Sequence, residues 1–205
     1  MKPIKVAIFS SGNGSNAEAL ILHARNYTSL QVEFVLCDQN HAGVLERAKR
    51  LDVTTYLVAW SYTRENHEKE IFSYLEKHQV DWIFLAGYMR ILSKSFLAKF
   101  KSLHHGFDQV VNIHPSLLPA FPGKHAIQRA YSQNVKFGGV TLHLVDAGID
   151  TGPILMQQEV PLGEDESLEQ FTQKIHQCEH RLYTNFLTDL ALGLRGTQSY
   201  LEVLC

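Results

Sequence analysis

Cysteine is scarce. The 205 residues hold three, Cys37, Cys178 and Cys205, odd in number and far apart. That pattern fits a reduced, cytoplasmic protein better than a disulfide framework. No CxxC pair and no HExxH occurs, and the eleven histidines are scattered, which argues against a metal site. No apolar run reaches the roughly 18 residues that a membrane span needs. The N-terminus, MKPIKVAIFSSG, has only a short apolar stretch and reads as a first strand, not a secretory signal. Charge of one sign is missing too. A net charge of −2 leaves no electrostatic footprint for nucleic acid or an anionic membrane. There is no internal repeat and no low-complexity linker. No Ser or Cys sits in a G-x-S-x-G elbow, so any nucleophile comes from a substrate or is water.

What is present is alternation. Short apolar runs predict strands at Ile4–Phe9, Val32–Cys37, Thr54–Val58, Trp82–Ala86 and Val110–Ile113. Amphipathic segments between them predict helices at Asn16–Arg25, Ala42–Leu51, Arg64–His78 and Lys94–Phe100. After Pro122 a short helix, two strands (Gly139–Val145 and Ile154–Val160) and a long helix near Ser167–Leu190 follow. Ser167 and Gln170 form a capping-box pattern. Strand–helix alternation with near-continuous apolar strands predicts an α/β fold. The expected architecture is a Rossmann-like, mostly parallel twisted sheet with helices on both faces. It forms one domain over residues 1–205. In such sheets ligands bind beyond the carboxyl ends of the strands.

The first strand runs into SSGNGSNAEAL. Gly12 and Gly14 allow positive φ and close backbone approach, and Ser15 or Asn16 can cap the helix that follows. A helix N-terminus there suits a phosphate. It is not a Walker loop, because no Gly-Lys-Ser/Thr follows. Gly12, Gly14 and Ala17 also fit G-x-G-x-x-A, with Asp38 ending the second strand where a ribose-binding acid would sit. Dinucleotide binding, a single phosphate and a ligand-free tight turn all remain open on this loop alone.

The segment VVNIHPSLLPAFPG places Asn112 and His114 two residues apart, on one side of a strand. The segment GGVTLHLVDAGIDTGPI places Thr141, His143 and Val145 on one face and carries Asp146 and Asp150 in a loop. Asp146 reads as a solvated turn former. A carboxylate from Asp150 beside His114 would favour the imidazolium. With the Asn112 amide, that makes two donors for a developing oxyanion. The bland alternative is a pair of satisfied polar caps on a buried strand.

GNGSN, LAGYMRIL, NIHPSLLPAFPG and DAGIDTGPIL occur in this order over about residues 4–190, and HAGVLERA and the pair Glu179–His180 add to them. Together they closely resemble the folate-dependent phosphoribosylglycinamide formyltransferase family. The resemblance implies transfer of a formyl group from the co-substrate 10-formyltetrahydrofolate to the amine of glycinamide ribonucleotide, in de novo purine (IMP) biosynthesis. It implies no metal. Asn112, His114 and Asp150 match the catalytic trio. Gly14, Ser15, Asn16 and Glu179 match ribonucleotide-binding positions. Met89, Arg90, Ile91 and Leu92 match the folate pterin pocket, which Asn112 adjoins, and Arg64 matches a further folate contact. Residues 1–100 then form the ribonucleotide phosphate-binding half and 101–205 the catalytic and folate-binding half. Small molecules are the expected partners, with a monomer or homodimer as the assembly and no nucleic acid or membrane. Leu85 is expected to be core or pocket wall. Departures from the family pattern are the longer lead-in KSLHHGFDQVV, whose His104 and His105 read as a solvated loop, Asp38 where Asn is frequent, and His176 where Gln is usual. Other readings are a folate deformylase, a methionyl-tRNA or nucleotide-sugar formyltransferase, a nicotinamide oxidoreductase and a silent nucleotide-binding module.

Overall fold

The computed structural model describes residues 2–60 and 63–194. Cys205 lies outside them. The described elements, in chain order, are β1 (Ile4–Ser10), α1 (Ser15–Ala24), β2 (Leu30–Cys37), α2 (Gly43–Arg50), β3 (Thr55–Leu57), α3 (Arg64–His78) and β4 (Trp82–Leu85). Then come α4 (Lys94–Leu103), β5 (Val110–His114), α5 (Ala126–Ser132), β6 (Phe137–Leu144), β7 (Ile154–Pro161) and α6 (Leu168–Ala191). Every expected element is there, with ends moved by up to three residues. All seven strands join one sheet in the order β3-β2-β1-β4-β5-β6-β7. β1 to β5 run parallel, and β6 and β7 are antiparallel additions.

The sheet buries apolar side chains on both faces, which is why the parallel strands read as unbroken apolar runs. One face carries Val6, Ile8, Val35, Phe84, Val111 and Ile113 against α1, α2, α5 and α6, with Phe171, Tyr183 and Phe186 from α6 fully buried. The other carries Ala7, Phe9, Leu36, Ile83 and Leu85 against Phe72 and Leu75 of α3 and Phe96 and Phe100 of α4. Each such fully buried large side chain contributes on the order of 1.5–3 kcal/mol. The second cluster stops at β5. Among the described residues Val110 is its one β5 member, and none comes from β6 or β7. The polar pairs Asn112–His143 and His114–Thr141 lie opposite one another across β5 and β6, on the side that α3 and α4 leave uncovered.

Two sequence readings need correction. His104 is not in a solvated loop: it is the C-terminal cap of α4, half-buried, with its ring edge-on to Phe100 at 4.5 Å. Burial lowers its pKa. α4 runs to Leu103, three residues beyond the expected end at Phe100, and the buried Phe100 draws the imidazole inward; His105 is exposed, as expected. The cap of α1 is also different. Gly14 at φ 82 takes the N-cap position, with no side-chain cap, and Ser15 and Asn16 are the first helical residues.

Candidate active site

Register brings the site together. Phe9, Leu85 and Asn112 are aligned across β1, β4 and β5. The loops after β1 and β4 and the end of β5 therefore share one edge of the sheet. That edge flanks β1 and β4, where the strand order reverses, which is where open α/β sheets bind ligands.

The loop after β1 is held by α2. A Cβ on Gly14 would sit 2.5 Å from the Val44 Cβ, so only glycine fits there, and its positive φ requires the same residue. The Val44 N–H donates to the Gly12 carbonyl at 3.1 Å, and Arg47 Nε donates to the Asn13 carbonyl at 2.9 Å. Arg47 also pairs with Glu18. The result is a fixed loop at a helix N-terminus that no side chain caps, a ready anion site. Across from it, α6 presents Glu179, buried at 4% exposure. Asn16 Nδ2 donates to Glu179 Oε2 at 3.4 Å, and His176 Nδ1 lies 2.6 Å from the same oxygen. Asn16 and Glu179, 163 positions apart in sequence, thus meet.

Asp38 cannot serve a dinucleotide. Its side chain is fully buried, and its Oδ2 accepts from Arg90 Nε at 2.7 Å and from Gln39 Nε2 at 3.0 Å. Burial alone would raise its carboxyl. Hydrogen bonds from Ser11, Arg90 and Gln39 outweigh this and hold it below the usual carboxylate range.

The same ion pair helps to fix the loop after β4. The Arg90 guanidinium packs on Trp60 at 4.7 Å. Met89 N–H donates to Ser11 Oγ at 2.9 Å, the Tyr88 hydroxyl meets buried His67 Nε2 at 3.0 Å, and Ser93 N–H donates to Glu68 Oε1 at 2.6 Å. Burial pushes the Tyr88 phenol up. Pinned at these points, the loop turns Leu92 into the core and leaves Met89 and Ile91 projecting outward, 60% and 49% exposed. Held in this way, the two side chains form an exposed apolar patch at this edge of the sheet. Leu85 is core. Arg64 opens α3 behind the Thr63 cap and is exposed.

At β5 the trio assembles. The loop between β6 and β7 folds back, placing Asp150, in the left-handed region at φ 55, against the strand. Asp150 Oδ2 lies 3.3 Å from His114 Nδ1 and accepts from the Gly123 N–H at 2.7 Å. Asp150 Oδ1 accepts from Asn112 Nδ2 at 3.4 Å and lies 3.5 Å from His143 Nε2. Burial would raise this carboxyl too. Hydrogen bonds from His143 and Gly123, with the charges of His114 and His143, overcome it and keep Asp150 lowered and ionised. His114 Nε2 donates to the Phe121 carbonyl at 2.9 Å. Both ring nitrogens of His114 therefore face oxygen atoms, the Asp150 carboxylate on one side and the Phe121 carbonyl on the other. Asp146, by contrast, accepts from Gly148 N–H and Thr151 Oγ1 within its own loop, as a turn former does.

His143, to which the sequence assigns only a shared face with Thr141 and Val145, joins the cluster. Its Nδ1 lies 2.8 Å from the Leu144 carbonyl, and its Nε2 lies 3.1 Å from Asn112 Nδ2 and 3.5 Å from Asp150 Oδ1, between the amide and the carboxylate. That contact sets which way the Asn112 amide points. The signal was present as His143 at the right parity, but only the β5–β6 register pairs it with Asn112. Among the described residues, no group of three His, Cys, Asp or Glu side chains could hold a metal. No described helix is long and apolar enough to cross a membrane.

A site with an uncapped helix N-terminus, an exposed apolar wall and a carboxylate–imidazole–amide cluster is that of a group transferase, and the chain belongs to the formyl transferase family, which it matches over residues 4–187. Particular relatives narrow this. The chain is 39% identical to the phosphoribosylglycinamide formyltransferase of Bacillus subtilis, covering 94% of this chain and 96% of that one. It is 37% identical to the trifunctional purine biosynthetic protein adenosine-3 of Drosophila melanogaster over 92% of its own length, but only 14% of that longer protein. The crystal structure of glycinamide ribonucleotide transformylase 1 from Geobacillus kaustophilus superposes with a TM-score of 0.84 at 40% identity, covering 93% of this chain and 99% of that chain.

Proposed function

We propose that this protein transfers the formyl group of 10-formyltetrahydrofolate to the primary amine of glycinamide ribonucleotide, giving the formylated ribonucleotide and tetrahydrofolate, a step of purine biosynthesis in the cytoplasm. The observation that carries the reading is the convergence of Asn112, His114 and Asp150 on the sheet edge that also bears the α1 N-terminus. Gly14, Ser15 and Asn16 bind the substrate phosphate through backbone N–H groups and the helix dipole. Glu179 takes the ribose side of the same molecule. Met89 and Ile91 line the folate pocket, Arg90 and Leu92 hold that loop in place, and Arg64 meets the far end of the folate. Residues 1–100 thus supply the phosphate site and one wall of the folate pocket, and residues 101–205 supply the chemistry. The enzyme works on small molecules as a monomer or homodimer, without a metal, nucleic acid or membrane.

The amine lone pair attacks the formyl carbon, and the carbonyl π electrons move to oxygen. The oxyanion takes the position now filled by the Phe121 carbonyl on His114 Nε2, and the Asn112 amide, on giving up its long 3.4 Å contact to Asp150, is the second donor. Asp150 holds the imidazolium, accepts the proton the amine loses and passes it to N10 of the folate; the oxyanion electrons re-form the carbonyl as N10 leaves with the C–N electron pair. A substrate amine as nucleophile accounts for the missing Ser or Cys elbow.

The test is folate release followed spectrophotometrically, with and without glycinamide ribonucleotide. Release that requires the ribonucleotide is the expected result. Release without it would mean water is the acceptor and the protein is a deformylase.

A further inference from the structure

Asp38 is a buried carboxylate that the formyl-transfer chemistry does not use. It stands just past the end of β2, with no exposed side-chain surface. The strand order puts β1 between β2 and β4. Arg90, in the loop after β4, therefore reaches across the end of β1 to bring Nε within 2.7 Å of Asp38 Oδ2. Ser11 is the residue just past the end of β1. Its N–H donates to the Gly87 carbonyl at 3.1 Å, and its Oγ accepts the Met89 N–H at 2.9 Å. Against the effect of burial, the Ser11 hydroxyl and Arg90 hold the Asp38 carboxyl below its usual range.

Trp60 packs on the Arg90 guanidinium at 4.7 Å and on the His67 ring at 5.3 Å, and His67 Nε2 meets the Tyr88 hydroxyl at 3.0 Å. Four consecutive residues are thus tied down one by one: Gly87 and Met89 by Ser11, Tyr88 by His67, and Arg90 by Asp38. Stability alone does not explain a charge in this place. Taking a carboxylate out of water is costly, and a buried ion pair adds little net stability over apolar side chains of the same size. What the pair supplies is direction, because Arg90 Nε faces one fixed oxygen and the backbone on either side of it is fixed too.

We infer that Asp38 is a positioning residue for the folate wall: with Ser11 and Arg90 it fixes the backbone that presents Met89 and Ile91, and it ties that wall to the loop leading into α1. The inference rests on the folate reading above. It assigns Ser11 to the folate side, although Ser11 opens the phosphate loop in the sequence.

The test is KM and kcat for both substrates in wild type, Asp38→Asn, Ser11→Ala, Arg90→Gln and the double variant Asp38→Asn/Arg90→Gln. Ser167→Ala is the control, because it weakens a helix cap away from the site. In Asp38→Asn, KM for formyl folate rises roughly tenfold, the loss of a charge-assisted hydrogen bond; in Ser11→Ala it rises about threefold, the loss of a neutral one. KM for the ribonucleotide and kcat at saturation stay within about twofold in both. The double variant has a folate KM no higher than that of the worse single one, because both changes remove the same contact. Ser167→Ala moves neither KM. Ser11→Ala leaves the buried charge pair in place, so it tests the link even if Asp38→Asn does not fold. An unchanged folate KM in the Asp38 and Ser11 variants, a rise of both KM values together, or effects of Asp38→Asn and Arg90→Gln that multiply in the double variant overturn the positioning role alone. A wild type that transfers no formyl group to the ribonucleotide overturns this inference and the proposed function together.

Discussion

At the scale of the residue, the site works by placing donors against a fixed carboxylate. His114→Ala removes one oxyanion donor and the cation that Asp150 faces, and turnover falls by roughly 10²–10⁴-fold. The phosphate loop is elsewhere, so ribonucleotide affinity by calorimetry stays within about threefold. Asp150→Asn is the cleaner probe of the base, because asparagine tolerates the left-handed backbone that Asp150 adopts at φ 55. The pH dependence follows from the sign of the Asp150 shift. Its carboxyl is lowered, so it stays ionised throughout neutral and mildly acid pH and protonates only below the ordinary carboxylate range. The acid limb of kcat/KM between pH 5 and 8 therefore belongs to the substrate amine, whose ordinary value is near 8. Asp150→Asn lowers the whole pH–rate profile by about 10²-fold and keeps the limb. A limb that vanishes in the variant would assign it to Asp150 instead. The same sign governs stability. Asp150 stabilises the fold above its unfolded value and loses that contribution as pH falls through the folded one.

Elements decide how well those residues are held. Gly14 is demanded twice, by its φ of 82 and by a Cβ that would overlap Val44. Gly14→Ala must shift α2 or distort the loop, at a cost of roughly 1–3 kcal/mol by chemical denaturation. Because it moves the N–H groups of α1, it also weakens ribonucleotide binding at least tenfold. The cap of α6 separates stability from function. Ser167 Oγ accepts from Gln170 N–H at 3.2 Å, and Gln170 Oε1 accepts from Ser167 N–H at 2.9 Å. Ser167→Ala costs about 0.5–2 kcal/mol in urea denaturation. It leaves KM and kcat at saturation within about twofold, because Glu179 sits three turns further along the helix. The Thr141 hydroxyl does a comparable job inside the sheet. It donates to the Ser116 carbonyl at 2.7 Å and accepts from the Leu118 N–H at 3.1 Å, which ties the loop after β5 to β6.

Across the whole molecule, the site belongs to no single half. Asn16 from the first helix meets Glu179 from the last, and the buried Tyr183 hydroxyl of α6 donates to the Leu85 carbonyl of β4 at 2.9 Å. Ligands that bridge these parts stabilise the sheet and its helices as one unit. Ribonucleotide at about 100 times its Kd adds roughly 2.7 kcal/mol, an increase in Tm of about 5–10 °C for a chain of this length. Scanning calorimetry should show one transition that moves as a whole. Two transitions of which only one moves would mean the halves unfold separately.

The sequence by itself determined the periodicities and the chemistry of the side chains. Unbroken apolar runs between amphipathic segments can only be buried strands under helices, so the element order and the α/β class were legible. Asn112 and His114 share a side because a strand has period two, and Gly14 marks a backbone that no other residue adopts without strain. Tertiary structure decided what depends on partners distant in the chain. Asp38 has the residue type and position of a ribose ligand, yet Arg90, 52 positions away, neutralises it in the core. His104 looks solvated in its own segment, but Phe100 and burial claim its ring. His143 gains a role only when β6 pairs antiparallel with β5, and Glu179 meets Asn16 only when α6 packs on α1. Local sequence sets local conformation through sterics and hydrogen bonding, whereas the charge state and availability of a side chain are set by whichever groups the closed fold brings against it.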